Sequence, residues 1–137
     1  MSGVTFRVDG LPTSWNQLTR SHSQMIALRK KADAAVMDVA ILQARRSGAW
    51  PGHCLAGPLR CTVTVHPATR QRRDLDNLAI KAWIDQLRQR GVIADDHAGI
   101  IAELVIRRGV MARPAWTAVC LDPLPDPVDK EDPDEPH

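Results

Sequence analysis

Between positions 70 and 96 the chain sets arginines and acids in an order that suits phosphodiester chemistry. Arg70, Arg72 and Arg73 lead into Asp74-Leu75-Asp76-Asn77, and Asp96, the second of the pair Asp95-Asp96, follows twenty residues after Asp76. If the first stretch is extended, Asp74 and Asp76 point the same way, with Cα atoms roughly 6–7 Å apart. Two like charges held that close repel and raise a pKa unless a cation shares the site. A hard divalent ion supplies that charge, since Mg²⁺ takes oxygen ligands, keeps several waters and uses few carboxylates. Arginines alongside would hold the phosphate. Each acid also has a plainer use: Asp76 suits a helix N-cap, and Asp95-Asp96 suits a solvated turn.

The elements that must position these residues follow from periodicity. Val4 to Val8 alternates apolar and polar, predicting a first strand. Leu11-Pro12-Thr13-Ser14-Trp15-Asn16 then reads as a loop. A long helix is predicted from Ser21 or Ser23 to Arg46, with Met25, Ile26, Leu28, Ala32, Ala35, Val36, Val39 and Leu42 recurring near helical period and Ser47-Gly48 stopping it. Leu59, Cys61, Val63 and Val65 alternate through a second strand, and the arginine loop follows it. Asp76 or Asn77 caps a predicted second helix running to Arg90, about 20 Å long, with Gly91 as its C′ residue. Ile100 to Arg108 and Ala115 to Leu121 complete a β-α-β-α-β-β order. The expectation is a small single α/β domain (α+β-like) with a mixed sheet and two helices. For Asp96 to approach Asp74, the chain must turn at Gly91 and run back toward the helix start.

Charge is divided unevenly. Residues 1–121 carry 17 Lys/Arg against 9 Asp/Glu, a net of +8, whereas residues 122–137 carry one Lys against 7 Asp/Glu, a net of −6. The predicted organisation is therefore a basic domain over 1–121 and a disordered, acidic, proline-rich tail over 122–137. A basic body points to a polyanionic partner. No apolar run is long enough for a membrane span, and the first residues lack signal-peptide character, so a cytoplasmic protein without a membrane partner is expected. Cys54, Cys61 and Cys120 form no metal-type pair and read as small apolar residues in a reducing compartment.

The run Arg72-Arg73-Asp74-Leu75-Asp76-Asn77-Leu78, then Lys81, Asp85-Gln86-Leu87 and Gly91-Val92-Ile93-Ala94-Asp95-Asp96, resembles the RusA family of Holliday junction resolvases. Leu11 to Asn16 is similar to that family's loop after its first strand, and Ile101 to Gly109 to its penultimate strand. The resemblance spans residues 3–121 and implies a homodimeric, Mg²⁺-dependent crossover junction endodeoxyribonuclease, with Mn²⁺ able to substitute, acting on four-way DNA in recombination and repair. It implies Asp74, Asp76 and Asp96 as catalytic metal ligands, Asp95 as the lesser member of its pair, and Lys81 as the essential lysine. Asp76 and Lys81 stand five residues apart, one more than the family's usual four. That extra residue would turn Lys81 by about 100° if the helix began at Asn77.

For DNA contact the candidates are Arg70, Arg72, Arg73, Asn16 and Trp15, with the loop indole beside Asn16 suited to touch DNA. Trp83 falls on the apolar stripe Ile80, Trp83, Ile84, Leu87 and reads as core. His97 is a minor candidate for an outer base. Two other readings compete: a non-catalytic basic nucleic-acid-binding module, and a related metal nuclease acting on other branched DNA. Four carboxylates in the basic segment argue against the pure binder, because they would only repel phosphate.

Overall fold

The computed structural model describes residues 3–14, 17, 22–70, 78–95, 97 and 99–124. Four strands, β1 (Val4–Asp9), β2 (Leu59–His66), β3 (Ile101–Arg108) and β4 (Trp116–Pro123), form one mixed sheet in the order β1-β4-β2-β3. β4 is antiparallel to both β1 and β2, and β2 is parallel to β3. Among the described residues the helices are α1 (Ser23–Ser47) and α2 (Lys81–Gln89). This is the expected small mixed α/β domain, in the expected element order.

Alternation makes the sheet two-faced. Val4, Phe6 and Val8 of β1, Leu59, Cys61, Val63 and Val65 of β2, and Val119 and Leu121 of β4 are buried in one cluster with Met37, Ala40 and Ile41 of α1 and Trp83 and Leu87 of α2. The opposite face is capped by a stack of side chains from three strands. Trp116 lies 4.2 Å from His66, ring to ring and nearly parallel, and the Arg7 guanidinium sits 3.9 Å over the indole. Burial pushes the Cys61 thiol up to about 12, so it stays protonated and behaves as core. Cys54, by contrast with its reading as an apolar residue, is exposed.

Three expectations need correction. First, the recurrence that reveals α1 does not mark its buried face: Met25, Leu28, Val39 and Leu42 are exposed and Val36 only partly buried against the core, while Asp33, Met37, Ala40, Ile41 and Ala44 face inward. The helix is apolar on two sides, and the more regular side is the outer one. Second, α2 begins at Lys81 with Ile80 in the N-cap position, later than a start at Asp76 or Asn77, two residues that lie outside the described ones. Its nine residues span about 13 Å rather than 20 Å. Third, β4 continues through Asp122 and Pro123, and the Leu124 N–H donates to the Pro58 carbonyl at 3.0 Å. The ordered domain therefore runs past residue 121; residues 125–137 of the acidic stretch lie outside the described ones.

The end of α2 follows the sequence closely. Gly91 takes φ +77°, its N–H donates to the Arg88 carbonyl, and the Val92 N–H donates to the Leu87 carbonyl. Those two bonds, with Val92 and Leu87 both fully buried, are the αL helix ending that only glycine adopts without strain.

Candidate functional site

Of the residues expected to carry chemistry, Lys81, Asp95 and Arg70 are described. Asp74, Asp76, Asp96, Arg72, Arg73, Trp15 and Asn16 lie outside the described residues. The structure nevertheless fixes what leads into and out of both acidic segments.

Lys81 opens α2, and its ammonium lies 3.4 Å from the Asp85 carboxylate one turn on. Because the helix starts there, the extra residue between Asn77 and Lys81 falls outside the helix and does not rotate the lysine around it. Two stretches of loop hold this point. Ser14 bridges Leu78 in antiparallel fashion, and the Ala79 N–H donates to the Thr13 carbonyl at 2.7 Å. The loop after β1 is itself pinned. The Ser14 hydroxyl accepts from the Gln17 N–H while the Gln17 side-chain carbonyl accepts from the Ser14 N–H, both at 3.1 Å, a reciprocal capping pair across the positions of Trp15 and Asn16. The spacing Ser-x-x-Gln was a legible signal for it.

Sequence reasoning missed Asp33. This α1 carboxylate is buried and accepts hydrogen bonds from the side chain and backbone of Thr13. It thus ties α1 to the loop that in turn holds Ala79 and the start of α2. It lines a cleft of about 230 Å³ between the helices with Lys30, Lys81, Asp85 and Gln86. Burial raises its pKa above the ordinary value, opposed by the Thr13 bonds and the nearby Arg29 charge. No sequence signal separates a buried aspartate from a solvated one on a helix this rich in charge.

The sign of that shift sets a pH dependence. A carboxyl with a raised folded-state pKa holds its proton more tightly when folded, so its contribution to stability falls as pH rises from about 3.8 through the folded value. Asp33→Asn removes this titration. The urea midpoint of the wild type relative to Asp33→Asn is expected to decline as pH rises above about 3.8, and a constant difference would show that the carboxyl is not desolvated. Asp38 acts in the opposite sense: Arg90, bonded to it at 2.8 and 2.9 Å, and Gln86 at 2.6 Å hold its carboxylate below the usual range. Because Asp33→Asn leaves Asp38 in place, the comparison isolates Asp33.

After Gly91 the chain does turn. The Ile93 N–H reaches back to the Leu87 carbonyl at 3.4 Å, and Ile93 bridges Leu55, whose N–H donates to the Val92 carbonyl at 2.8 Å. Val92 and Ile93 are buried, which delivers the exposed Asp95 to the surface. The His97 ring accepts from the Gly99 N–H at 2.9 Å and organises the entry into β3. That bond occupies Nδ1 and gives His97 a local structural use. Trp83 is core, as expected, and its indole N–H has no partner among the described residues. Arg70 is exposed, four residues beyond the end of β2.

Among the described residues, no group of three or more His, Cys, Asp or Glu side chains is placed to hold a metal ion, and no helix is long and apolar enough to cross a membrane. No family model matches the chain, and no curated protein matches it.

Proposed function

We propose that the protein is a Mg²⁺-dependent endodeoxyribonuclease that binds and cleaves four-way DNA junctions as a homodimer. The observation that carries this reading is the ordered run of Arg72, Arg73, Asp74, Asp76, Lys81, Asp95 and Asp96 within a basic body. Asp74, Asp76 and Asp96 would hold the ion; three carboxylates are the hard oxygen donors that Mg²⁺ selects over softer sites. When bound, the ion supplies Lewis-acid polarisation at the scissile phosphate and lowers the pKa of water there.

The chain's own residues account for the rest. Arg70, Arg72 and Arg73 neutralise backbone phosphates and give affinity without sequence preference. Lys81 stands at the positive end of α2, where helix dipole and ammonium together favour a phosphate oxygen. A two-fold dimer presents one such site to each of two symmetry-related strands of a junction.

The deciding experiment incubates the protein with labelled four-way junction, duplex and single strand, with and without Mg²⁺. Paired, Mg²⁺-dependent incisions in the junction are expected. Binding without cleavage of any substrate would replace the nuclease with a nucleic-acid-binding module. Preferential cleavage of flaps or forks would change the substrate and keep the chemistry.

A further inference from the structure

We infer that the outer face of α1 is the surface on which a second copy of this chain packs, antiparallel, across a two-fold axis. This rests on the dimeric reading above and gives that dimer its interface. Met25, Leu28, Ala32, Ala35, Val39 and Leu42 repeat at steps of three and four residues, the spacing of a two-helix seam. All six are exposed, with Leu28 at 60% and Val39 and Leu42 at 49%. The stripe is about 26 Å long. It lies opposite the face that Met37, Ala40, Ile41 and Ala44 bury against the sheet, so among the described residues no packing requires it to be apolar.

Charge decides between occupants. A DNA backbone gains nothing from six apolar side chains. The acidic stretch after Leu124 holds one apolar residue besides proline, Val128, too few to fill the stripe. A second copy matches it. One flank carries Gln24, Lys31, Asp38 and Arg45, and the other carries Arg29, Val36 and Gln43. In an antiparallel pair each flank meets itself, so Lys31 faces Asp38 of the partner subunit, twice by symmetry. A parallel pair would set Lys31 against Val36 and Asp38 against Gln43, with no opposite charges. Asp38 is already held in place by Arg90, so the pair fixes register more than it adds energy. At the centre, Ala32 faces Ala35, letting the backbones approach, and Leu28 faces Val39 on either side. The free edge of β3 also exposes Leu104 and Val105, but Glu103, Arg107 and Arg108 guard that edge against strand addition.

A helix pair of this length lies at the small end of specific interfaces, which need about 1,000 Å² in total. The mass of the full chain, measured by light scattering over about 1–100 μM, should accordingly rise toward twice the monomer with concentration. Leu28→Glu and Val39→Lys, each at a solvent-exposed position, should leave the far-UV spectrum and the melting temperature of the monomer, measured at low protein concentration, nearly unchanged and weaken dimerisation at least ~30-fold, roughly the ~2 kcal/mol of one interfacial hot spot. The double variant L28E/V39K sets the introduced carboxylate of one subunit against the introduced ammonium of the other, twice in the antiparallel register. It should therefore recover dimer that each single variant has lost.

A dimer unaffected by either single change would overturn the assignment of this face. Loss in both single variants without recovery in the double would overturn the antiparallel register. A wild type that is monomeric at every concentration while still making Mg²⁺-dependent incisions would overturn the interface and leave the nuclease reading standing. A dimer that breaks as expected in a protein that cleaves nothing would do the reverse.

Discussion

Asp74→Asn, Asp76→Asn and Asp96→Asn are each expected to lower Mg²⁺-dependent junction cleavage at least ~1,000-fold, about 4 kcal/mol of transition-state stabilisation. Junction binding should persist or tighten. Each change removes an oxygen ligand of full negative charge and also removes a charge facing a polyanion, so rate and affinity should move in opposite directions. That opposition separates a metal ligand from a folding residue, whose loss would lower both. The test at Asp76 also separates a ligand from the helix cap the sequence suggests, since α2 itself begins only at Lys81 with Ile80 in the N-cap position. Asp95→Asn should lose less than Asp96→Asn. The buried Val92-Ile93 pair delivers Asp95 to the surface, and the resemblance makes it the lesser member of its pair. Single-turnover cleavage and gel-shift titrations on the same preparations decide the matter. Wild-type rates in Asp76→Asn would dismiss it as a ligand, and a larger loss in Asp95→Asn would exchange the roles of the pair.

The parts of the fold set by local physics are legible in the sequence. β2 alternates so regularly that its inward set, Leu59, Cys61, Val63 and Val65, can be named from it. Gly91 announces the end of α2 because no other residue adopts its backbone angles cheaply. What fails depends on partners distant in sequence. Asp76 and Asn77 look like caps, yet residues 78 and 79 pair with the loop after β1 through Ser14 and Thr13, and the helix waits until Lys81. The inward face of α1 escapes for a related cause. Periodicity detects any apolar stripe, and only the sheet decides which of two stripes it covers. The Arg7–Trp116–His66 stack is invisible in sequence because it needs the register of three strands, β1, β4 and β2. The candidate site divides in the same way. Its acids and arginines are legible as chemistry, whereas the buried Asp33 that ties α1 to the loop beside Lys81 is a tertiary fact.

Lys81→Ala is expected to lower the cleavage rate about 100-fold or more while weakening junction binding less than 10-fold. A cation in the first turn of a helix opposes the helix dipole, at roughly 0.3–1 kcal/mol. Its ion pair with Asp85 offsets little of that. The lysine stands on the N-terminal side, the weaker of the two orders, and the pair lies at the surface. Helix stability is therefore a poor reason for a lysine at this position. A phosphate oxygen that gains charge during reaction is a better one, and a cation aimed at developing charge acts on rate before affinity. Lys81→Ala should accordingly unfold within about 0.5 kcal/mol of the wild type, as surface substitutions do. Lys81→Arg, which keeps the charge, should recover part of the rate. Asp85→Asn should keep substantial cleavage, since it loosens the lysine from that carboxylate without touching the proposed ligands. Measuring kcat and Kd on the same variants separates the roles. Equal losses in both would make Lys81 a binding residue, and an unchanged rate would pass the role of cation to Arg73.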